Sequence, residues 1–239
     1  MNIFWKIFND ENYINKLQPN ETIHNEQTNN MSEDETNENY PSETILFKLS
    51  QIKTNIKNDL SIVSKYKKYF TISNVLHKNI CDYIVTESEK YATVHSWTNN
   101  RHAHYPTTDI PVKRIKNIHV LVDNIVKYDI LPLFEKYYNI SKYFLEYNDL
   151  FIVKYDENAQ NKLEKHRDGS LFSFNVLLNS PSEFVGGGTI FEINGEDILV
   201  NNTQGGVVIH SGKLLHSGNE ITEGKRYLLV GFIKYLGDF

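Results

Sequence analysis

Apolar positions change their period partway along this 239-residue chain. From about residue 74 to residue 138 they recur at helical spacing. After Asn148 the helical spacing gives way to short β-prone runs. Leu76, Ile80, Ile84 and Tyr91 form one stripe, which Ser73 or Asn74 is placed to cap. A second stripe through Ile118, Leu121, Val122, Ile125 and Val126 lies within Ile115 to Tyr138, where Pro132 should kink or split the helix. Between the two, residues 92–114 contain Pro106 and Pro111 and read as loop and strand. Lys48 to Tyr69 is lysine-rich and loosely helical.

The β-prone runs are Leu150 to Tyr155, Ser170 to Leu178, Thr189 to Ile193, Asp197 to Val200, Gly206 to His210 and Tyr227 to Tyr235. Turn residues separate them, among them Asn179-Ser180-Pro181, Gly186-Gly187-Gly188 and Asn194-Gly195. Many short strands joined by tight turns predict a sandwich or barrel. Because helices come first and strands follow, the class is α+β with a largely antiparallel β core.

Residues 17–47 contain no Lys or Arg and seven acids, from Glu21 to Glu43. Such a stretch cannot bury enough apolar surface to offset its ordering entropy. Residues 1–47 are therefore expected to be an acidic, disordered tail with a short apolar start at Ile3, Phe4, Trp5, Ile7 and Phe8, and 48–239 the folded domain. The net charge is −5, and without the tail the remainder is close to neutral. That balance argues against a broad nucleic-acid footprint. A single cysteine, Cys81, excludes an intramolecular disulfide framework and any metal site needing several thiolates. The apolar run Tyr227 to Ile233 is far too short for a membrane span, and the first ten residues lack the apolar length of a secretory leader. The expectation is a soluble protein of the cytoplasm or another reducing compartment.

The chemistry gathers at His166, Asp168, His216 and Arg226. His166 and Asp168 lie two apart, a spacing that shares one face of a strand. His216 follows Asp168 by 48 residues, and Arg226 comes ten residues later. Two histidines and a carboxylate on one face of Fe(II) leave three positions open, the arrangement of non-haem Fe(II) oxygenases. A guanidinium on the following strand can pair in a fork with the far carboxylate of a dicarboxylate. His-x-acid alone carries little: His24-Asn25-Glu26 also fits it, inside the acidic tail. The weight rests on the combination and its spacing.

Three stretches carry a family resemblance: FIVKYDENAQNKLEKHRDGSLFSFNVLLN, EFVGGGTIF and GGVVIHSGKLLHSGNEITEGKRYLLVGFI. They resemble the catalytic domain of procollagen lysyl hydroxylases and the related prolyl 4-hydroxylases. The upstream HYPTTDIPV is similar to the segment that opens that domain in the lysyl branch, and the resemblance covers roughly residues 79–235. It implies a double-stranded β-helix (jelly-roll, cupin-like) buttressed by N-terminal helices. It implies Fe(II), 2-oxoglutarate as co-substrate, dioxygen, and ascorbate as reductant. Its residues would be His166, Asp168 and His216 as catalytic iron ligands, with Arg226 and Tyr155 on the distal carboxylate of 2-oxoglutarate and Asn175 near the co-substrate. The Gly186-Gly187-Gly188 run matches the family's turn and supplies positive φ.

The activity so implied is hydroxylation of a peptidyl lysine or proline, with 2-oxoglutarate decarboxylated to succinate and carbon dioxide. The same chemistry on a small molecule or nucleic acid, and a non-catalytic β-helix binding module, are the alternatives. Lys225 is a second candidate for the carboxylate, although neighbours on a strand face opposite sides. His210 reads as a strand-end residue behind the ligands, and His102 and His104 as surface or substrate-side groups. Residues 95–110, with Trp97, Arg101, His102 and Tyr105, are the expected substrate rim. A protein or peptide is the expected partner, and nothing marks an oligomer interface.

Overall fold

The computed structural model describes residues 68–102 and 105–236. The expectations for the apolar start, the acidic tail, the lysine-rich helix up to residue 67 and His104 lie outside these residues. Tyr69, read as the end of that helix, instead opens strand β1 (Tyr69–Ile72).

Helix α1 (Lys78–His95) buries Ile80, Cys81, Ile84 and Ser88, as its apolar period dictates. It starts later than Ser73 or Asn74 would set it. The Val75 and Leu76 amides both donate to the Gly205 carbonyl, which holds this bent segment out of the helix, and the His77 side chain caps the helix by accepting from the Asn79 amide. The second stripe becomes α2 (Lys116–Ile125) and α3 (Leu131–Tyr138), joined by a π-helical turn at Val126–Ile130. Pro132 lies in the first turn of α3, directly after the π-helical turn, so the helical path runs on from Lys116 to Tyr138 with an irregular turn before the proline and no break.

Ten further strands follow: β2 (Asp109–Pro111), β3 (Leu145–Asp156), β4 (Leu163–His166), β5 (Phe172–Leu177), β6 (Phe184–Gly186), β7 (Thr189–Ile193), β8 (Glu196–Val200), β9 (Val207–Ser211), β10 (His216–Gly218) and β11 (Ile221–Tyr235). The predicted runs are all present. The three that sequence missed, β4, β6 and β10, are three or four residues long, too short to show a period. One sheet runs β1-β9-β5-β11-β3-β2 with β6 also on β11, and the other runs β4-β10-β7-β8. All pairings are antiparallel.

Strand alternation makes the large sheet two-faced. Its outer face carries Phe70 and Phe172, which pack against Tyr138 and Phe134 of α3. Its inner face meets the small sheet, with Tyr69 stacked on Phe191 at 4.5 Å and Phe151, Val153, Leu177 and Leu228 clustered beside Leu163 and Phe184. Burying an aromatic such as Phe172 or Phe191 stabilises the fold by roughly 2–3 kcal/mol. The architecture is the expected double-stranded β-helix with helices on one side. Gly186, Gly187 and Gly188 all have positive φ, at 84°, 73° and 97°, which glycine alone adopts without strain. Among the described residues, no helix is long and apolar enough to cross a membrane.

Candidate active site

A cavity of about 190 Å³ opens between the two sheets. β4 ends at His166 and β10 begins at His216, and the strand register places these two histidines opposite each other. Asp168 is not on a strand. It lies in the loop after β4, fixed there by its own amide donating to the Gly212 carbonyl at 2.9 Å. Strand alternation is therefore not what brings Asp168 beside His166; a loop bond does. His216 likewise opens its own short strand rather than closing the β9 run.

His166 Nε2 stands 3.5 Å from Asp168 Oδ1, and His216 Nε2 stands 3.7 Å from Asp168 Oδ2. One ligand atom from each of the three lies within 4.8 Å of the others. Each histidine has its Nδ1 against a backbone carbonyl, Glu164 at 2.8 Å and Leu214 at 2.9 Å. A carbonyl only accepts, so each Nδ1 carries a proton and Nε2 is the atom turned toward the carboxylate. Burial pushes His216 down to about 3, so its Nε2 offers a lone pair at neutral pH. Two imidazole nitrogens and a carboxylate then converge, a donor set that a divalent cation would complete.

Burial works against charge on Asp168, but the His166 contact, the neighbouring His216 and His210 imidazoles and a hydrogen bond from Ser173 outweigh it. The carboxyl stays well below the usual range. Ser173 Oγ donates to Asp168 Oδ2 at 2.5 Å and meets Ser170 Oγ at 2.9 Å. Ser173 escaped the sequence reading, although strand alternation puts it on the same face of β5 as Asn175. Ser173→Ala is expected to weaken divalent metal binding by about 10- to 100-fold and to lower the melting temperature of the metal-free protein by about a few degrees, since a buried carboxylate loses a donor. Calorimetric titration with Mn(II) beside a thermal melt checks both.

Arg226 enters the same cavity from β11 and pairs in register with Tyr155 of β3. It is 4% exposed, its Nη1 has no hydrogen-bond partner, and its Cζ lies 5.4 Å from the Tyr155 ring centroid. Among the described residues no carboxylate pairs with it. A buried guanidinium without a counter-ion is costly, and an anionic ligand relieves that cost. Burial lowers the pKa of Arg226 and raises that of Tyr155, so the phenol stays protonated and able to donate. A side chain at Gly218 would collide with the Tyr155 hydroxyl, so glycine leaves that group its place. Asn175 lines the cavity with Arg226. Lys225 is turned outward and pairs with Asp156 at 3.6 Å, which removes it as the alternative to Arg226.

The expected rim divides. His102 and Tyr105 line the cavity, and the Tyr105 ring lies 4.9 Å from the His166 ring. Trp97 and Arg101 do not. Trp97 donates to Glu89, and Arg101 bridges Asp109 and Asp149 at 2.5 and 2.6 Å, so both are tied into the scaffold. His210, read as a strand-end residue behind the ligands, is buried but also lines the cavity, its ring 4.5 Å from that of His216.

No family model matches the chain. Curated relatives do. The chain is 37% identical over 135 residues to the procollagen lysyl hydroxylase and glycosyltransferase of Acanthamoeba polyphaga mimivirus, covering 54% of this chain and 14% of the relative. It is 31% identical over 174 residues to mouse procollagen-lysine,2-oxoglutarate 5-dioxygenase 2, covering 66% and 22%. The chain thus spans about a fifth or less of the length of these relatives. Among solved structures it is similar to a Pseudomonas putida prolyl-4-hydroxylase, with a TM-score of 0.53, 14% identity, and 74% of this chain and 100% of that one covered. It is also similar to the viral collagen prolyl hydroxylase of Paramecium bursaria Chlorella virus-1, with a TM-score of 0.50, 18% identity, and 72% and 98% covered. At these identities the structural similarity speaks to the fold.

Proposed function

We propose that this chain, a relative of the procollagen lysyl hydroxylases, is an Fe(II)- and 2-oxoglutarate-dependent dioxygenase that hydroxylates a lysine or proline side chain of a protein. The observation that carries this reading is the meeting, in one cavity, of a convergent His-Asp-His donor set and a buried Arg226 without a counter-ion. His166, Asp168 and His216 would hold the iron. Arg226 and Tyr155 would hold the far carboxylate of 2-oxoglutarate, the first by charge and the second by its phenolic proton, with Asn175 beside it. Bound iron with 2-oxoglutarate and dioxygen supplies the oxidising power for hydroxylation, releasing succinate and carbon dioxide.

The protein's own part is placement. Nδ1 bonds to two carbonyls fix the imidazole planes, and Ser173 fixes the carboxylate. Apolar side chains of Phe151, Val153, Leu228, Val230 and Phe232 line the rest of the cavity, which limits water and suits the methylene stem of a peptidyl side chain. The names of the lysyl hydroxylase relatives support a peptidyl substrate. The buried lone thiol Cys81 is compatible with work in a reducing compartment.

The test is succinate formation by purified protein with Fe(II), 2-oxoglutarate and ascorbate, with and without lysine- and proline-containing peptides. Turnover should require His216, be lost in His216→Ala, and rise with a peptide that gains the mass of one oxygen. Wild-type protein that binds neither Fe(II) nor 2-oxoglutarate would sink the reading and leave a non-catalytic β-helix module. Turnover stimulated only by small molecules would move the substrate, not the chemistry.

A further inference from the structure

Arg226 sits in a break in the pairing of β11. The β5–β11 ladder ends at the pair Leu177 and Leu228, and one more bond follows, from the Leu178 amide to the Tyr227 carbonyl at 2.9 Å. β5 then turns away toward Ser180 and Pro181, and pairing on that edge resumes only at Phe184 of β6, opposite Gly224. Between the two, the backbone around Arg226 would keep a neighbour only on its β3 side, at Tyr155.

The side chain of Asn179 takes the place of the missing strand. Its Nδ2 donates to the Lys225 carbonyl at 2.8 Å, and its Oδ1 accepts from the Tyr227 amide at 2.9 Å. These two groups flank Arg226 on either side of its Cα. One carboxamide therefore makes the pair of bonds that the peptide of an adjoining strand would make. Asn179 is 3% exposed, so neither bond competes with water. Its own position is fixed by a 3₁₀ turn at Pro181–Glu183, whose capping box joins Ser180 and Glu183, and Glu183 Oε2 accepts from Asn179 Nδ2 at 3.3 Å. The carboxamide makes no contact with the cavity: Asn179 is not among the residues that line it.

We propose that Asn179 is the positioning residue for Arg226. It carries the sheet past the end of β5 and sets the direction from which the guanidinium enters the cavity. The effect is large because a small rotation at the Arg226 Cα is amplified along a long side chain, and fork pairing with a carboxylate tolerates little misalignment. The inference rests on the reading of Arg226 as the carboxylate-binding group and adds the residue that aims it.

The test measures 2-oxoglutarate affinity by anaerobic calorimetry on the Mn(II)-loaded full chain, with Mn(II) affinity measured separately. It compares wild type, Asn179→Ala, Asn179→Asp, Arg226→Ala and the Asn179→Ala/Arg226→Ala double variant. Asn179→Ala should weaken 2-oxoglutarate binding about tenfold or more, with Mn(II) affinity kept within about twofold. In turnover it should raise KM for 2-oxoglutarate far more than it lowers kcat. In the Arg226→Ala background the same substitution should add nothing, because the group it aims is gone. Should the alanine variant fail to fold, Asn179→Asp keeps the acceptor for Tyr227 and loses the donor to Lys225, and it should show the same KM effect. Unchanged 2-oxoglutarate affinity in a folded variant, an equal loss of metal affinity, or additivity with Arg226→Ala would each overturn the proposal while leaving the role of Arg226 standing. A wild-type protein that binds Mn(II) but no 2-oxoglutarate would overturn the role of Arg226 and this proposal together.

Discussion

Arg226→Ala is expected to weaken 2-oxoglutarate binding by about 100-fold or more while metal affinity stays nearly constant. A charge-assisted hydrogen bond contributes about 1.5–3 kcal/mol, and a fork makes two, so ~3 kcal/mol, or about two decades of affinity, is a modest sum. The guanidinium is buried and has no competing partner, so little of that energy is spent in the free protein. Arg226→Lys should fall between, because it keeps the charge and loses the fork. Lys225→Ala should be close to neutral, since Lys225 is half-exposed and meets only Asp156. Titration of the metal-loaded protein, beside KM and kcat for the co-substrate, reads all three. If Arg226→Ala bound 2-oxoglutarate as tightly as wild type, the assignment would be wrong. The metal-free variant should be no less stable than wild type, because an unpaired buried charge has been removed.

What the sequence reveals of this fold depends on the length of each element. Thr189–Ile193 is read to the residue because five residues of alternation sit between two turn signals. β10 is invisible because His-Ser-Gly is too short to carry a period. The start of α1 was misplaced because a tertiary contact decides it: two amides held by the Gly205 carbonyl, across more than a hundred residues of sequence. In the cavity between the sheets, His166, Asp168, His216 and Arg226 are legible because their spacing and residue types are tied to chemistry. The spacing of His166 and Asp168 points to a shared strand face, whereas a loop bond to the Gly212 carbonyl holds Asp168. Ser173 carries no signal in a single sequence, as a serine inside a strand looks like an ordinary residue, and Asn179 reads only as part of the turn Asn179-Ser180-Pro181. Trp97 and Arg101 look like a binding rim because exposed aromatic and basic residues often are one; here Glu89, Asp109 and Asp149 use them as scaffold.

Replacing Asp168 with alanine should abolish metal binding and turnover together, and should also cost the metal-free protein some stability. The carboxylate is 7% exposed and stands 3.5 and 3.7 Å from the Nε2 atoms of His166 and His216. In the metal-free state Ser173 and the neighbouring imidazoles favour its charge over the cost of burial, and the alanine variant forfeits that stabilisation. With metal the loss is larger: the carboxylate is the only anionic member of the donor set, and its loss should exceed the 10- to 100-fold expected from Ser173→Ala. Thermal melts separate the two states. Wild type should gain melting temperature as Mn(II) is added, because a ligand that binds only the folded chain stabilises it in proportion to RT ln(1 + [L]/Kd). Asp168→Ala should show no such gain over the same range. A variant that still gains stability with Mn(II) would place the ion elsewhere.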